Sequence, residues 1–176
     1  EAGRRGIVVE MTLFCPLYND DLWRASPMNA ANNVNRIGDC PRTEVLALKH
    51  KRLTEIQVAF MEKIVGELNE HGNLYFEVCN EPYFGGVTVE WQHHVVDAIR
   101  RAESKLPKKH LISMNIANGS AKVEKPHRSV IIFNSHYCGP PETVALNYGL
   151  DRVIGVNETG FRGSHDFLYR SEGWDF

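Results

Sequence analysis

Short, nearly continuous apolar runs alternate along this chain with longer segments of helical periodicity. Gly6 to Leu17 (GIVVEMTLFCPL) is rich in β-branched and aromatic residues and stops near Pro16, which predicts a strand. Thr43 to Glu70 places Leu53, Ile56, Phe60, Ile64 and Leu68 on one helical face and closes at His71-Gly72. Leu74 to Cys79 predicts a second strand, and Thr88 to Leu106 returns to helical spacing through Val95, Ile99 and Ala102 before Pro107. Further strands are predicted over His110 to Ile116, Val130 to Ser135 and Arg152 to Val156, with short helices over Pro141 to Tyr148 and Asp166 to Trp174. Tyr18 to Pro41, crowded with Asn, Asp, Pro and Gly, reads as one long loop. Strands that alternate with helices imply right-handed crossovers and a parallel sheet, the α/β class. The continuity of the apolar runs predicts strands covered on both faces.

Two architectures fit this pattern: an open doubly wound sheet, or part of a (β/α)8 barrel. Neither G-x-G-x-x-G nor G-x-x-x-x-G-K follows any strand, which removes the strongest argument for a nucleotide-binding open sheet. Two strand ends carry a different signal. Tyr75 to Phe84 (YFEVCNEPYF) and Val153 to Phe161 (VIGVNETGF) both end an apolar run in Asn-Glu followed by an aromatic residue. One Asn-Glu-Pro is explicable as turn chemistry. Two such dipeptides at the C-terminal ends of strands, where barrel enzymes keep their catalytic groups, point to one paired site.

The pairing of these stretches resembles the acid/base and nucleophile strands of retaining glycoside hydrolases of the barrel clan that includes the cellulases and mannanases of glycoside hydrolase family 5. The resemblance implies a partial (β/α)8 TIM barrel whose five strands correspond to about the third to the seventh. Residues 1–176 would then form a single glycosidase barrel domain, incomplete at both ends, because a whole barrel takes about 250 residues. Such a fragment, expressed alone, is expected to be inactive and prone to aggregate or oligomerise. The implied roles are Glu81 as acid/base and Glu158 as nucleophile. The chemistry requires such a pair: cleavage passes through an oxocarbenium-like state, with one carboxyl group to protonate the leaving oxygen and another on the opposite side. Retention over inversion depends on a carboxyl separation of about 5 to 5.5 Å, and the choice of retention is carried by the resemblance alone.

The same resemblance makes Asn80 a donor to the sugar hydroxyl beside the reacting carbon. His136, in Phe133 to Pro141 (FNSHYCGPP), stands where family members carry a substrate-contacting His. Tyr137 is adjacent to it rather than two residues later, a shift that moves a strand side chain to the other face. Tyr83 and Phe84 follow the acid/base and are expected to border the cleft. Trp23, in the long loop, either stacks on a sugar or pins its own loop. Glu77 shares strand parity with Glu81 and reads as a buried member of a structural ion pair, its partner placed on a strand outside this chain. His93-His94 lacks the spacing of a zinc helix and reads as a solvated helix face. No cofactor or metal is expected.

Charge and composition narrow the partners. A formal net charge of -2 gives no electrostatic reason to expect nucleic acid or an anionic membrane. No apolar stretch approaches the length of a membrane span, and Glu1 to Gly6 shows no signal peptide. Cys15, Cys40, Cys79 and Cys138 lack the close spacing of a zinc site, and three of them sit in apolar runs, where a buried free thiol is expected. Sequons occur at Asn118 and Asn157, and a glycan at the second would cover Glu158, which argues against maturation in a eukaryotic secretory pathway. The partner expected is therefore a carbohydrate substrate, with oligomeric state and localisation left open. The alternatives from other classes are a non-catalytic carbohydrate-binding barrel fragment and a metal-dependent hydrolase that uses Glu81, His136 and Glu158 as ligands.

Overall fold

Hydrogen-bonded strand neighbours follow the order of the chain. The computed structural model describes residues 1–118, 122–136, 141–158, 160 and 163–176, with backbone alone at 117, 118, 136, 141, 169 and 175. Among these residues one sheet holds β1 (Val9–Phe14), β2 (Leu74–Cys79), β3 (Ile112–Asn118), β4 (Ile132–His136) and β5 (Val153–Val156), all parallel and in the order β1-β2-β3-β4-β5. A doubly wound sheet reverses its strand order at a switch point. The five described strands show no such reversal.

The helices are α1 (Asp20–Ala25), α2 (Lys51–Leu68), α3 (Val89–Ser104), α4 (Pro141–Asn147) and α5 (Asp166–Asp175). Helix α1 lies inside the segment expected as plain loop. Asn19 caps it by accepting from the Leu22 N–H at 2.9 Å, and Asp20 and Asp21 occupy its first turn, where carboxylates complement the exposed N–H groups. Helix α2 begins at Lys51 rather than at Thr43. Glu44 draws Lys49 and His50 to 2.8 Å each, and the extended backbone of His50 (φ -116, ψ 88) ends the preceding turn before the helix starts. The connection between β3 and β4 contains no helix among the described residues.

Strand register separates two faces. On one, Met11, Phe76 and Ile112 stand side by side, as do Met114, Phe133 and Ile154. These side chains share one core with Leu53, Met61 and Val65 of α2 and Trp91, Val95 and Ile99 of α3. On the other face Thr12, Glu77 and Ser113 are neighbours, and Asn115 lies beside Asn134 and Gly155. The strands are thus apolar on one face and largely polar on the other, against the expectation of apolar cover on both. β3 shows the alternation in its sequence, ISMNIAN.

Trp91 is the largest fully buried side chain of the core. Its indole N–H donates to Gln57 Oε1 at 2.9 Å, and its ring meets Phe14 edge-on with centroids 5.1 Å apart. Gln57 in turn donates to the Val45 carbonyl at 2.8 Å, so one indole ties α3, α2, β1 and the segment before α2 together. Trp91→Ala is expected to cost about 3–5 kcal/mol through cavity formation and the stranded Gln57. Denaturant unfolding should show a lower midpoint at unchanged slope.

Candidate active site

Asn157, directly after β5, donates from Nδ2 to Glu77 Oε2 at 2.8 Å and to Glu10 Oε2 at 3.2 Å. In a flat sheet, four inter-strand steps of about 4.8 Å would hold β1 and β5 about 19 Å apart. That gap exceeds the combined reach of an Asn and a Glu side chain. The sheet is therefore strongly curled, and its polar row lies on the concave side.

Two carboxylates occupy the floor of this concavity. Asn134 of β4 donates to Glu10 Oε1 at 2.8 Å and to Glu77 Oε2 at 3.2 Å, while Thr12 donates to Glu77 Oε1 at 3.2 Å. Gly155 makes room for Asn134, since a Cβ at Gly155 would lie 2.5 Å from Asn134 Oδ1. Glu77 is almost fully buried and hydrogen-bonded to Glu10. This corrects the expectation of an ion pair completed elsewhere: the partners of Glu77 are amides, a hydroxyl and a second carboxyl, all on this chain. Sequence reasoning missed Glu10. The available signal was a lone carboxylate inside each of two neighbouring apolar strands.

Burial, and then the charge of Glu10, raise the Glu77 carboxyl from its usual 4.5 to about 7. The same two causes push the Tyr75 phenol up to about 12, so it stays a donor on this floor. Because the folded-state value of Glu77 lies above its unfolded value, the folded chain holds this proton more tightly than the unfolded chain does. Its contribution to stability is fully present below about pH 4.5 and is lost as pH rises through about 7. The melting temperature is therefore expected to fall between pH 5 and pH 7.5 through this group, measured by thermal melts across that range. Glu77→Gln should flatten that part of the profile.

Above the floor, at the C-terminal ends of the strands, stand the two Asn-Glu dipeptides. Glu81 is half-buried, and its backbone adopts the left-handed region at φ 41, uncommon for a residue with a side chain. Both of its carboxylate oxygens meet phenols: Tyr18 donates to Oε2, and Tyr83 donates to Oε1 at 3.3 Å. Burial is the main reason the Tyr18 phenol is held far above its usual range, with Cys15 and Glu81 adding to it, so Tyr18 remains a donor. Asn80 donates its backbone N–H to the Phe14 carbonyl at 3.0 Å and reaches the Tyr18 oxygen with Nδ2 at 3.4 Å. Phe84 packs between Tyr18 and Tyr83, with centroids 5.8 and 4.9 Å away. The loop continues through Gly86 (φ +75), where a Cβ would collide with the Thr43 carbonyl, which fixes the aromatic pair against the segment before α2. Tyr18 was missed because it lies in the long Asn-rich loop, 63 residues from its partner.

Glu158 follows Asn157 and is half-buried at the end of β5. The Asn157 amide nitrogen that a glycan would need is occupied by Glu77 and Glu10. His136 closes β4, paired in register with Asn118 of β3. The His136 side chain, Tyr137 and Cys138 lie outside the described residues. Trp23 is 8% exposed, and its indole N–H donates to the Cys40 carbonyl at 3.0 Å, so the ring holds its own loop. Cys15, Cys40 and Cys79 are free; Cys79 is buried as expected, but Cys15, at the end of the first apolar run, is exposed. His93 is not on a solvated face: it is half-buried, its Nε2 is buried without a hydrogen bond among the described residues, and its ring meets His127 at a tilt, centroids 5.0 Å apart.

Among the described residues no group of three or more His, Cys, Asp or Glu is placed to hold a metal ion, and no helix is long and apolar enough to cross a membrane. Compared with known proteins, the chain matches no protein-family model and no curated protein sequence.

Proposed function

We propose that this chain carries the acid/base and nucleophile strands of a retaining glycoside hydrolase, with its curled sheet forming part of a (β/α)8 barrel. The observation that carries the reading is the Asn157–Glu77 contact at 2.8 Å, which joins β5 to β2 across three inter-strand steps. It draws together the two strands that end in Asn-Glu. Singly wound order, α2 and α3 packed on the apolar face and a polar concave face all agree with a barrel wall seen from its lumen.

In this reading Glu81 gives its proton to the glycosidic oxygen as the C–O bond breaks, while Glu158 attacks the anomeric carbon and forms a glycosyl ester. Glu81, now a carboxylate, takes a proton from water, whose oxygen displaces Glu158 and releases a sugar of unchanged configuration. The Tyr18 and Tyr83 phenols aim the Glu81 carboxylate, and Asn80 binds the hydroxyl next to the reacting carbon. His136 and Tyr137 would complete the sugar site from the end of β4.

An activated 2-deoxy-2-fluoro β-glycoside tests the reading, because the fluorine slows both formation and breakdown of the ester while the good leaving group speeds formation alone, so the ester accumulates. The protein carrying this chain is expected to gain the mass of one fluorosugar, located by peptide mapping on Glu158. Sugar binding without adduct or turnover would instead favour a non-catalytic carbohydrate-binding protein. Turnover abolished by a chelator would favour a metal-dependent hydrolase.

A further inference from the structure

Glu10, Glu77 and Asn157 form a unit that the reaction scheme leaves unused. Among the described residues the Asn157 side chain is held only through Nδ2, its Oδ1 being buried without a hydrogen bond. That one nitrogen reaches both carboxyl groups, at 2.8 Å to Glu77 and at 3.2 and 3.3 Å to the two oxygens of Glu10. We propose that Glu10 and Glu77 are a proton-sharing pair whose joint grip on Asn157 positions the backbone that presents Glu158. The inference rests on the glycosidase reading for the role of Glu158, although the pair itself does not.

The geometry argues for a shared proton. Two carboxyl groups close enough to hydrogen-bond to one another and to share one amide cannot both be ionised without repelling. With one proton between them, the pair accepts both Asn157 N–H bonds and the Asn134 bonds at once. When that proton leaves, the two groups move apart, and Asn157 can follow only one of them. Among the described residues, the other titratable groups facing the pair are Tyr75 on β2, which hydrogen-bonds Glu10, and Cys79 two residues beyond Glu77. β3, β4 and the end of β5 contribute Ser113, Asn134 and Asn157, which carry no charge. Desolvation already favours the protonated form of Glu77, in line with a single shared proton near neutrality.

The pair is thus a positioning device, and its signature is a pH profile. Carboxyl carbons of Glu10 and Glu77 and the side-chain amide of Asn157 are followed by NMR from pH 4 to pH 9 in the protein carrying this chain. In parallel, the rate of Glu158 labelling by the fluoroglycoside is measured over the same range. The expected result is a Glu77 midpoint near neutrality, mirrored by the Asn157 amide and by an inflection in the labelling rate. Glu10→Gln should lower the Glu77 midpoint. Glu77→Gln, which keeps an acceptor for Asn157 and a donor for Glu10, should remove the inflection, whereas Glu77→Ala should slow labelling about tenfold at pH 5.5 by misplacing the nucleophile. An Asn157 amide that does not respond between pH 5 and pH 8 would overturn the proposal. So would a Glu77 midpoint unmoved by Glu10→Gln, a variant on a half-exposed strand residue that keeps the fold's apolar core intact. Coupled titrations without labelling at any pH would support the pair and sink the glycosidase reading instead.

Discussion

Glu158→Gln is expected to reduce turnover of β-glycosides by about 10⁴-fold or more and to abolish the fluorosugar adduct. The amide is nearly the same size as the carboxylate but has no charge with which to attack the anomeric carbon or to stabilise an oxocarbenium-like state. The loss should be independent of the leaving group, because no substrate bypasses the nucleophile. Circular dichroism and the denaturant midpoint should stay close to those of the parent, since the change leaves the apolar core untouched. Initial rates on an aryl and an unactivated β-glycoside, with intact mass after inhibitor treatment, check the expectation. Unchanged turnover would remove Glu158 from the mechanism.

Glu81→Ala should behave differently, and the difference identifies the acid. On substrates with poor leaving groups, rates should fall by about 10² to 10⁴-fold, the usual contribution of a positioned proton donor. On dinitrophenyl glycosides the glycosyl ester still forms, because the departing phenolate needs no proton. Deglycosylation then limits the rate, since water has lost its base. Added azide should restore turnover by attacking the ester directly, and the product should be a glycosyl azide of retained configuration. The space vacated by the carboxylate lies between the Tyr18 and Tyr83 hydroxyls, two donors that suit a small anion. Failure of azide to accelerate the variant on an activated substrate would reassign the acid/base.

Local signals carried the scaffold and stopped short of the floor of the site. Helical spacing through Val95 and Ile99 found α3 to within two residues at either end, because its amphipathic period and the Thr88 cap are both written locally. The start of α2 was placed too early, since the apolar pattern cannot show that Glu44 recruits Lys49 and His50. The Asn-Glu dipeptides could be found because each follows an apolar run directly. Glu10 and Tyr18 could not be joined to them: the Glu10–Asn157 contact spans 147 residues and the Tyr18–Glu81 contact 63. Strand parity tells which face a carboxylate occupies, but the curl that decides which strands meet across that face is a property of the whole sheet.

Each strand pairs with its neighbour in sequence, so the sheet can be laid down progressively as the chain leaves the ribosome. The bridge from Asn157 to Glu10 obeys a different clock. It closes the longest loop in this network and adds only a few polar contacts, so it belongs after the rate-limiting barrier, with low φ-values at both ends. The apolar wall forms early and governs how fast the chain folds, whereas the carboxyl pair governs mainly how readily the finished wall springs open again. Assembly of the scaffold and setting of the catalytic geometry are then separate kinetic events, and substitutions at Glu10 or Asn157 can retune the second without slowing the first.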